Sequence, residues 1–170
     1  MHIVLVEPEI PQNTGNIART CAATGSMLHL VKPLGFSLDD KYLKRAGLDY
    51  WHMMTYAVHE DFSELEAQYP NAEFFFLSTK GKRNYCEIQY PADCFLVFGR
   101  ETKGLDEALI AERYHRCVRI PMIQGARSLN LSNSVAIVTY EALRQNGFSD
   151  LQTEGSLHHA DAGEAWRDYL

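Results

Sequence analysis

Short apolar runs alternate with segments of helical character along this 170-residue chain. The apolar runs are rich in β-branched and aromatic residues and end at proline, glycine or polar residues, as buried strands do. The predicted strands cover residues 2–6, 28–31, 73–78, 94–98 and 118–120. The predicted helices begin near residues 16, 39, 61, 106 and 131 and end near residues 24, 46, 69, 113 and 145. This alternation favours an α/β fold in which helices flank a parallel sheet.

Several of the predicted helices carry capping residues at their ends. Gly25 is expected to end the first helix in a left-handed conformation, and Gly147 follows the last helix. Ser63 and Glu66 have the spacing of a capping box at the start of the third helix. For the last helix, either Asn130 or Ser132 is a suitable N-cap.

The composition is that of a globular protein, with 46% hydrophobic and 22% charged residues. No apolar run approaches the ~18 residues that a membrane span needs, and no basic-then-apolar leader is present. A cytoplasmic location without membrane contact is therefore expected. The net charge of −6 argues against indiscriminate binding of nucleic acid. Basic clusters at residues 41–45 and 80–83 remain compatible with selective recognition of RNA.

Cysteine and histidine do not occur in the spacings that bind metals. The cysteines are Cys21, Cys86, Cys94 and Cys117. They include no CxxC pair and no neighbouring histidine pair, so no metal site is expected. All four are predicted to be small buried hydrophobic residues. The seven histidines are scattered, without an HxxxH or HxH pair, and are interpreted as structural or surface residues.

The common glycine and serine motifs of α/β enzymes do not occur. No GxGxxG follows the first strand, and neither GxxxxGK[ST] nor GxSxG occurs in the chain. A Rossmann dinucleotide site, a P-loop and a serine hydrolase are therefore disfavoured. Three polar regions instead follow predicted strands, and strand ends are where open α/β proteins bind ligands. These regions are residues 11–19, residues 77–84 together with 99–105, and residues 121–130.

Each polar region contains candidate functional side chains that also have a plain structural interpretation. Arg19 suits a phosphate or a developing oxyanion, and Asn13 lies at the predicted helix start, where it is either a cap or a ligand-binding group. Gly99 permits close approach of the backbone to a ligand. Glu101 either orients a ligand or has a structural role, as a solvated charge or as the partner of a helix N-terminus. Asn130 either binds a ligand or caps the last helix.

Three segments together resemble the motifs of the SPOUT superfamily of RNA methyltransferases in order and spacing. They are NTGNIAR, LVFGRETKGL and RIPMIQGARSLNLSNSVAIVTYEALR, and the resemblance covers nearly the whole chain through Gly147. The opening IVLVEPEIPQNTGNIAR and the segment KRAGLDYW resemble the subfamily that methylates the ribose of the tRNA wobble nucleotide. The resemblance implies a tRNA 2′-O-methyltransferase that acts on cytidine or modified uridine at position 34 of leucine tRNAs.

The resemblance also implies an architecture, a cosubstrate and an assembly. The last strand, loop and helix would form a C-terminal deep trefoil knot, a rare exception to unknotted topology. S-adenosyl-L-methionine would bind in that knot, without a metal. The protein would be a homodimer in which Arg19 of one subunit completes the pocket of the other. The methyltransferase domain would span residues 1–148, followed by a C-terminal tail of residues 149–170.

Site residues follow from the matched motif positions. The implied catalytic residues are Asn13, Arg19, Glu101, Ser128 and Asn130. The implied cofactor-binding residues are Leu77, Thr79, Gly99, Ile120, Met122, Ser128 and Leu129. Contacts with the anticodon arm of tRNA are predicted for Lys80, Arg83 and Tyr140, although a tyrosine on a helix is more often part of the core.

Other functions remain compatible with this sequence. A 2′-O-methyltransferase of the same superfamily could act on another tRNA or rRNA position, and a non-catalytic RNA-binding knot protein could retain the fold. A generic nucleotide-binding α/β protein is the remaining alternative, since short motifs produce false matches. The chain departs from its relatives at Arg100, where many carry proline, and in the tail after Gly147.

Overall fold

A seven-stranded sheet forms the centre of the computed structural model, which describes residues 1–38 and 54–156. The strands are β1 (His2–Val6), β2 (Met27–Val31), β3 (Tyr56–His59), β4 (Phe74–Leu77), β5 (Arg83–Asn84), β6 (Phe95–Phe98) and β7 (Cys117–Arg119). Their order is β3-β2-β1-β6-β4-β7-β5, and all six pairings are parallel. The predicted parallel α/β sheet is confirmed.

Helices cover both faces of this sheet. They are α1 (Pro11–Thr24), α2 (Phe62–Gln68), α3 (Glu107–Ala111) and α4 (Leu131–Gln145), with 3₁₀ turns at Tyr85–Glu87 and Tyr114–Arg116. Alternate strand residues point to opposite faces. Leu5 and Leu96 pack with residues of α1 and α4. On the other face, Val4 and Val97 pack with residues of α2 and α3. Burial on both faces explains the continuous apolar sequence of β6.

The start of α1 corrects the sequence-based prediction. The helix begins at Pro11 and not near Asn16. Proline fits the first helical position because its φ is already helical and its missing N–H would have no partner there. Asn13 therefore lies in the first turn, where it is buried, and the N-cap is Ile10, without a side-chain cap. The predicted end at Gly25 is confirmed, with a left-handed φ of 67°.

The predicted capping box of α2 is wrong. Asp61 is the N-cap, and its carboxylate accepts a hydrogen bond from the Glu64 N–H at 2.8 Å. An aspartate cap satisfies a free N–H at the helix start at least as well as serine does. Glu66 is thereby released for an ion pair with Arg113, at 2.9 Å.

The last helix matches its prediction, whereas two strands were missed. α4 spans Leu131–Gln145 with Asn130 as its N-cap, and Gly147 follows it with a φ of 69°. β3 and β5 lie at the two edges of the sheet, are short, and are not fully buried, so they leave no long apolar run. The helix predicted at residues 39–46, the basic cluster at 41–45 and the KRAGLDYW segment lie outside the described residues.

The cysteine prediction needs one correction. Cys21, Cys94 and Cys117 are buried as expected, and burial raises the pKa of each thiol. Cys86 is exposed instead, because it lies in the 3₁₀ turn after β5 at the edge of the sheet. Within residues 1–38 and 54–156, no group of three or more His, Cys, Asp or Glu side chains could hold a metal ion. No helix in the same ranges is long and apolar enough to cross a membrane.

Three of the scattered histidines meet in space, which their sequence positions did not indicate. Neighbouring strands β1, β2 and β3 place His2, His29 and His59 in one hydrogen-bonded row. The ring nitrogens of His2 and His29 are 2.9 Å apart, and those of His29 and His59 are 3.0 Å apart. Burial lowers the pKa of His2 to about 4 and of His29 to about 3, so the row is neutral at pH 7.

Candidate active site

An open cavity of about 440 Å³ lies at the carboxyl ends of β4, β6 and β7. This volume is within the range of small-molecule sites, ~300–1,000 Å³. The cavity is where the parallel topology places ligand sites, because loops leave the sheet there. The predicted residues that line it are Asn13, Leu77, Thr79, Lys80, Gly99, Glu101, Ile120, Met122, Ser128, Leu129 and Asn130. All the proposed cofactor-binding positions are therefore brought together.

Three predicted site residues do not line this cavity. Arg19 is exposed in a later turn of α1. Arg83 lies on the edge strand β5, where its guanidinium donates to the Glu87 carbonyl at 3.4 Å. Tyr140 is 47% exposed on α4, so the usual assignment of a helical tyrosine to the core is wrong here. Lys80, Arg83 and Tyr140 thus lie on three different elements.

Gly99 allows the chain after β6 to fold back on itself. A Cβ at this position would lie 2.2 Å from backbone atoms of Gly104 and Leu105, a distance that no side chain can occupy. The Gly104 N–H donates to the Arg100 carbonyl at 2.8 Å, and Gly104 has a φ of 71°. The close approach that the sequence attributed to a ligand is made by this turn, which forms part of the cavity wall.

Glu101 holds the N-terminus of α1. Its carboxylate accepts hydrogen bonds from the N–H groups of Glu9 at 2.8 Å and Ile10 at 3.2 Å, and from the Asn13 side-chain amide at 3.0 Å. N–H groups at a helix start have no partners within the helix, and a negative charge is favourable there. These contacts match the role of a partner to a helix N-terminus, one of the roles that the sequence leaves open for Glu101.

A second set of contacts also joins the segment after β1 to the loop after β6, but here the acceptor lies in the segment after β1 and the donors lie in the loop. The Glu9 carboxylate accepts from the Thr102 N–H at 3.1 Å and from the Thr102 hydroxyl. Glu7 forms an ion pair with Arg100, and Glu7 has a positive φ of 52°. Glu7, Glu9 and Thr102 are not among the site residues predicted from the sequence. Glu7 and Glu9 flank Pro8 directly after β1, but their partners Arg100 and Thr102 are more than ninety positions away.

Asn13 extends the Glu101 contacts to α4. The carboxylate of Glu101 can only accept, so the Asn13 NH₂ group must face it, and this orients the Asn13 carbonyl oxygen the other way. That oxygen accepts from the Asn130 side-chain amide at 3.0 Å. The Asn130 oxygen accepts in turn from the Ser132 N–H at 2.9 Å and the Asn133 N–H at 3.4 Å. One hydrogen-bonded chain therefore links Glu101 and the N-termini of α1 and α4.

The family model described as "SpoU rRNA Methylase family" matches residues 1–140, more than three quarters of the chain. The chain belongs to the SpoU rRNA methylase family. The resemblance to RNA methyltransferases seen in the sequence is thereby confirmed. The three motif segments that carried it are the segments that meet at the cavity.

Individual members of this family are closely similar to the chain. A tRNA (cytidine(34)-2′-O)-methyltransferase of Methylovorus glucosotrophus is 52% identical over 150 residues, which cover 86% of this chain and 96% of that one. A solved structure described by "Structural insights into the 2-OH methylation of C/U34 on tRNA" is 45% identical, with a TM-score of 0.82. That match covers 86% of this chain and 96% of that one.

A less similar solved structure contains bound AdoMet. It is an AdoMet-bound rRNA methyltransferase from Sinorhizobium meliloti, 25% identical, with a TM-score of 0.76. The match covers 84% of this chain and 55% of that one. The match therefore includes most of this chain and about half of that longer protein.

Proposed function

We propose that the chain is an S-adenosyl-L-methionine-dependent methyltransferase that modifies the ribose 2′-hydroxyl of nucleotide 34 in tRNA. The observation that carries the proposal is the convergence of the three motif segments on one cavity, joined by the contacts of Glu101, Asn13 and Asn130. The relatives support the substrate, because two matches with 96% coverage are described by methylation at position 34 of tRNA.

The cavity fits S-adenosyl-L-methionine in size and chemistry. Apolar side chains of Leu77, Ile120 and Leu129 supply surfaces for a planar base, and the backbone after each strand supplies donors and acceptors for its edge. Ser128 and Asn130, at the start of α4, can form hydrogen bonds with the polar groups in the methionine part of the cosubstrate. When bound, this cosubstrate provides a methyl group activated by a sulfonium. Family membership implies that β7, the following loop and α4 form the trefoil knot around it.

In the reaction, a ribose oxygen–methyl bond forms while the methyl–sulfur bond breaks, and the 2′-hydroxyl proton is released. Arg19 is proposed to bind the flanking phosphate and to stabilise the oxygen as it becomes negative. A guanidinium stays protonated at neutral pH, so this role is electrostatic. The Glu101 carboxylate is proposed to act through position alone, since its oxygens already accept from three donors.

A second copy of the chain is proposed to supply Arg19. The residue is exposed and outside the cavity of its own chain, so one copy alone does not combine the two. Apolar side chains are exposed near the cavity and along α4, where a partner would cover them. They are Ile10, Ile123, Leu129, Ile137 and Tyr140. A homodimer therefore accounts for both the position of Arg19 and this exposed apolar surface.

The finer substrate assignment is leucine tRNA with cytidine or modified uridine at position 34, bound through its anticodon arm. Because the net charge is −6, the RNA would contact local basic groups such as Lys80 and Arg83. Tyr140 offers an exposed ring for stacking. The methyltransferase domain is proposed to comprise residues 1–148, and residues 149–170 to be a tail outside the catalytic unit.

Nucleoside mass spectrometry tests this proposal. Purified tRNA is incubated with the protein and methyl-labelled S-adenosyl-L-methionine, then digested and mapped. Label on the ribose of nucleotide 34 is expected. Label at another position would favour the second candidate, an enzyme for another RNA site, which the rRNA methyltransferase of Sinorhizobium meliloti makes reasonable. Cofactor binding without any transfer would favour a non-catalytic RNA-binding protein.

A further inference from the structure

The loop of residues 78–82 joins β4 to β5 and forms one wall of the cavity. Ser78, Thr79 and Lys80 all line it. The Ser78 N–H donates to the Val118 carbonyl at 2.9 Å. A Cβ on Gly81 would lie 2.8 Å from the Val118 backbone, so this glycine lets the loop lie directly against β7. The inner side of the loop is therefore fixed to the sheet.

The outer side of the same loop is held by Tyr114. This residue begins the 3₁₀ turn that precedes β7. Its hydroxyl donates to the Lys80 carbonyl at 2.6 Å. Its ring lies below the Lys82 ammonium, 5.9 Å from nitrogen to centroid. Tyr114 thus contacts both a residue of the cavity wall and a basic residue further along the loop.

The two lysines of the loop differ in their surroundings. The Lys80 ammonium forms an ion pair with Glu107, at the start of α3, which offsets its charge. Lys82 is held over an aromatic ring, which retains the positive charge and restricts its position. A cation beside a partly exposed ring is a combination that single-stranded RNA binds, through phosphate and base respectively.

We propose that Tyr114 is a positioning residue that fixes the 78–82 loop, so that one side of the loop forms the cofactor wall and the other presents Lys82 to RNA. The proposal rests on the proposed function and adds two residues, Tyr114 and Lys82, to its machinery. It predicts that the hydroxyl and the ammonium have separable effects. The hydroxyl acts on the cofactor through the backbone of Lys80, which lies in the cavity wall, whereas the Lys82 charge acts on RNA.

Two substitutions separate these effects. Tyr114→Phe removes the hydroxyl and keeps the ring, and Lys82→Ala removes the charge and keeps the hydroxyl contact. Lys32→Ala is the matched control, because Lys32 forms an exposed ion pair with Glu60 beside β3, at the opposite edge of the sheet. For each protein, the affinity for S-adenosylhomocysteine is measured by calorimetry, and tRNA affinity is measured over a series of salt concentrations.

Tyr114→Phe is expected to weaken S-adenosylhomocysteine binding about three- to tenfold, the effect of one lost hydrogen bond. Its KM for the methyl donor should rise while kcat stays within about twofold, a split that general destabilisation would not produce. Lys82→Ala is expected to leave S-adenosylhomocysteine binding unchanged. It should reduce the slope of log affinity against log salt by about 0.7 to 0.9, the value for one lost phosphate contact. Lys32→Ala should match the wild type in all measurements.

The outcomes distinguish this proposal from the proposed function. If the wild type binds S-adenosylhomocysteine and Tyr114→Phe binds it equally well, Tyr114 has no positioning role, and the proposed function is unaffected. If the salt slope of Lys82→Ala equals that of the wild type, Lys82 does not contact RNA. If the wild type binds no S-adenosylhomocysteine, the proposed function itself fails, and the role of Tyr114 fails with it.

Discussion

The side-chain amides of Asn13 and Asn130 are hydrogen-bonded at 3.0 Å, although the residues are 117 positions apart. Asn13 is in the first turn of α1 and Asn130 caps α4. The contact therefore fixes the start of one helix relative to the start of the other. Since Glu101 orients Asn13, the loop after β6 is part of the same unit. This chain of contacts therefore joins three of the segments that line the cavity.

Asn13→Ala would leave Asn130 without its acceptor and Glu101 without one donor. Because Asn13 is buried, we expect the free energy of unfolding to fall by about 1–3 kcal/mol. Affinity for S-adenosylhomocysteine should fall as well, because the loop after β6 and the start of α4 both line the cavity and both lose their hydrogen bond to residue 13. Urea unfolding and calorimetry measure the two effects. The control is Asn16→Ala, an exposed position in the next turn, expected to change stability by less than about 0.5 kcal/mol. Equal results for both variants would contradict the anchoring role.

Glu101→Gln tests whether this carboxylate positions the site or acts as a base. A glutamine amide places a donor against one of the N–H groups of Glu9, Ile10 or Asn13, so we expect weaker cofactor binding and lower stability. If the role is positional, the pH dependence of single-turnover methylation should keep its shape while the whole profile is lowered. The disappearance of an acidic limb from the profile would instead identify Glu101 as a base.

The row of His2, His29 and His59 predicts a loss of stability in acid. Burial lowers the pKa of His2 to about 4, an effect that the N-terminal ammonium adds to and Asp93 opposes. Burial, reinforced by the two neighbouring rings, lowers the pKa of His29 to about 3. Burial also lowers the pKa of His59, which Glu64 opposes. The folded protein thus binds fewer protons than the unfolded chain below the ordinary pKa of 6.5.

The stabilising effect of the neutral row is therefore fully present above pH 6.5 and is lost as the pH falls through about 4, the pKa of His2, toward about 3, the pKa of His29. Within the described residues the buried Nδ1 of His59 has no partner, so a proton added to the row has no acceptor at that end. Urea unfolding between pH 8 and pH 4 measures the effect. His29→Leu should flatten the profile over this range. If the free energy of unfolding of that variant depends on pH as it does in the wild type, carboxylates alone cause the loss of stability in acid.

Arg19→Ala is expected to lower the single-turnover methylation rate by on the order of 10²-fold, the usual cost of one lost stabilising donor. Its affinity for S-adenosylhomocysteine should remain that of the wild type, because Arg19 is proposed to contact the RNA phosphate and the reacting oxygen and not the cofactor. Arg19→Lys should recover only part of the rate, since an ammonium lacks the paired donors of a guanidinium. Wild-type rates in both variants would remove Arg19 from the chemistry.

Mixed dimers test whether Arg19 acts across subunits. Thr79→Glu places a charge in the cavity and should abolish cofactor binding. Mixed with Arg19→Ala, it should restore activity, because the intact cavity of one chain then meets the intact Arg19 of the other. If subunit exchange is verified and the methylation activity of the mixture does not exceed the sum of the two separate variants, Arg19 acts in the site of its own chain.

What the sequence predicted well was local, and what it missed was long-range. The bounds of β1 and α4 follow from apolar periodicity and from the Asn130 cap, which are properties of neighbouring residues. The start of α1 was misplaced because Pro11 was taken as part of a loop. The motif positions located the cavity. The partners of Glu101 and the row of His2, His29 and His59 depend on strand pairing, which no local pattern contains.

The most direct test of the central claim uses leucine tRNA with a single 2′-deoxy substitution. If the protein methylates the ribose 2′-hydroxyl of nucleotide 34, tRNA that lacks this hydroxyl should accept no labelled methyl group. The same tRNA with the substitution at the neighbouring nucleotide 33 should be labelled at the rate of unmodified tRNA. Undiminished labelling of the 34-substituted tRNA would contradict the assignment of both the reacting oxygen and its position.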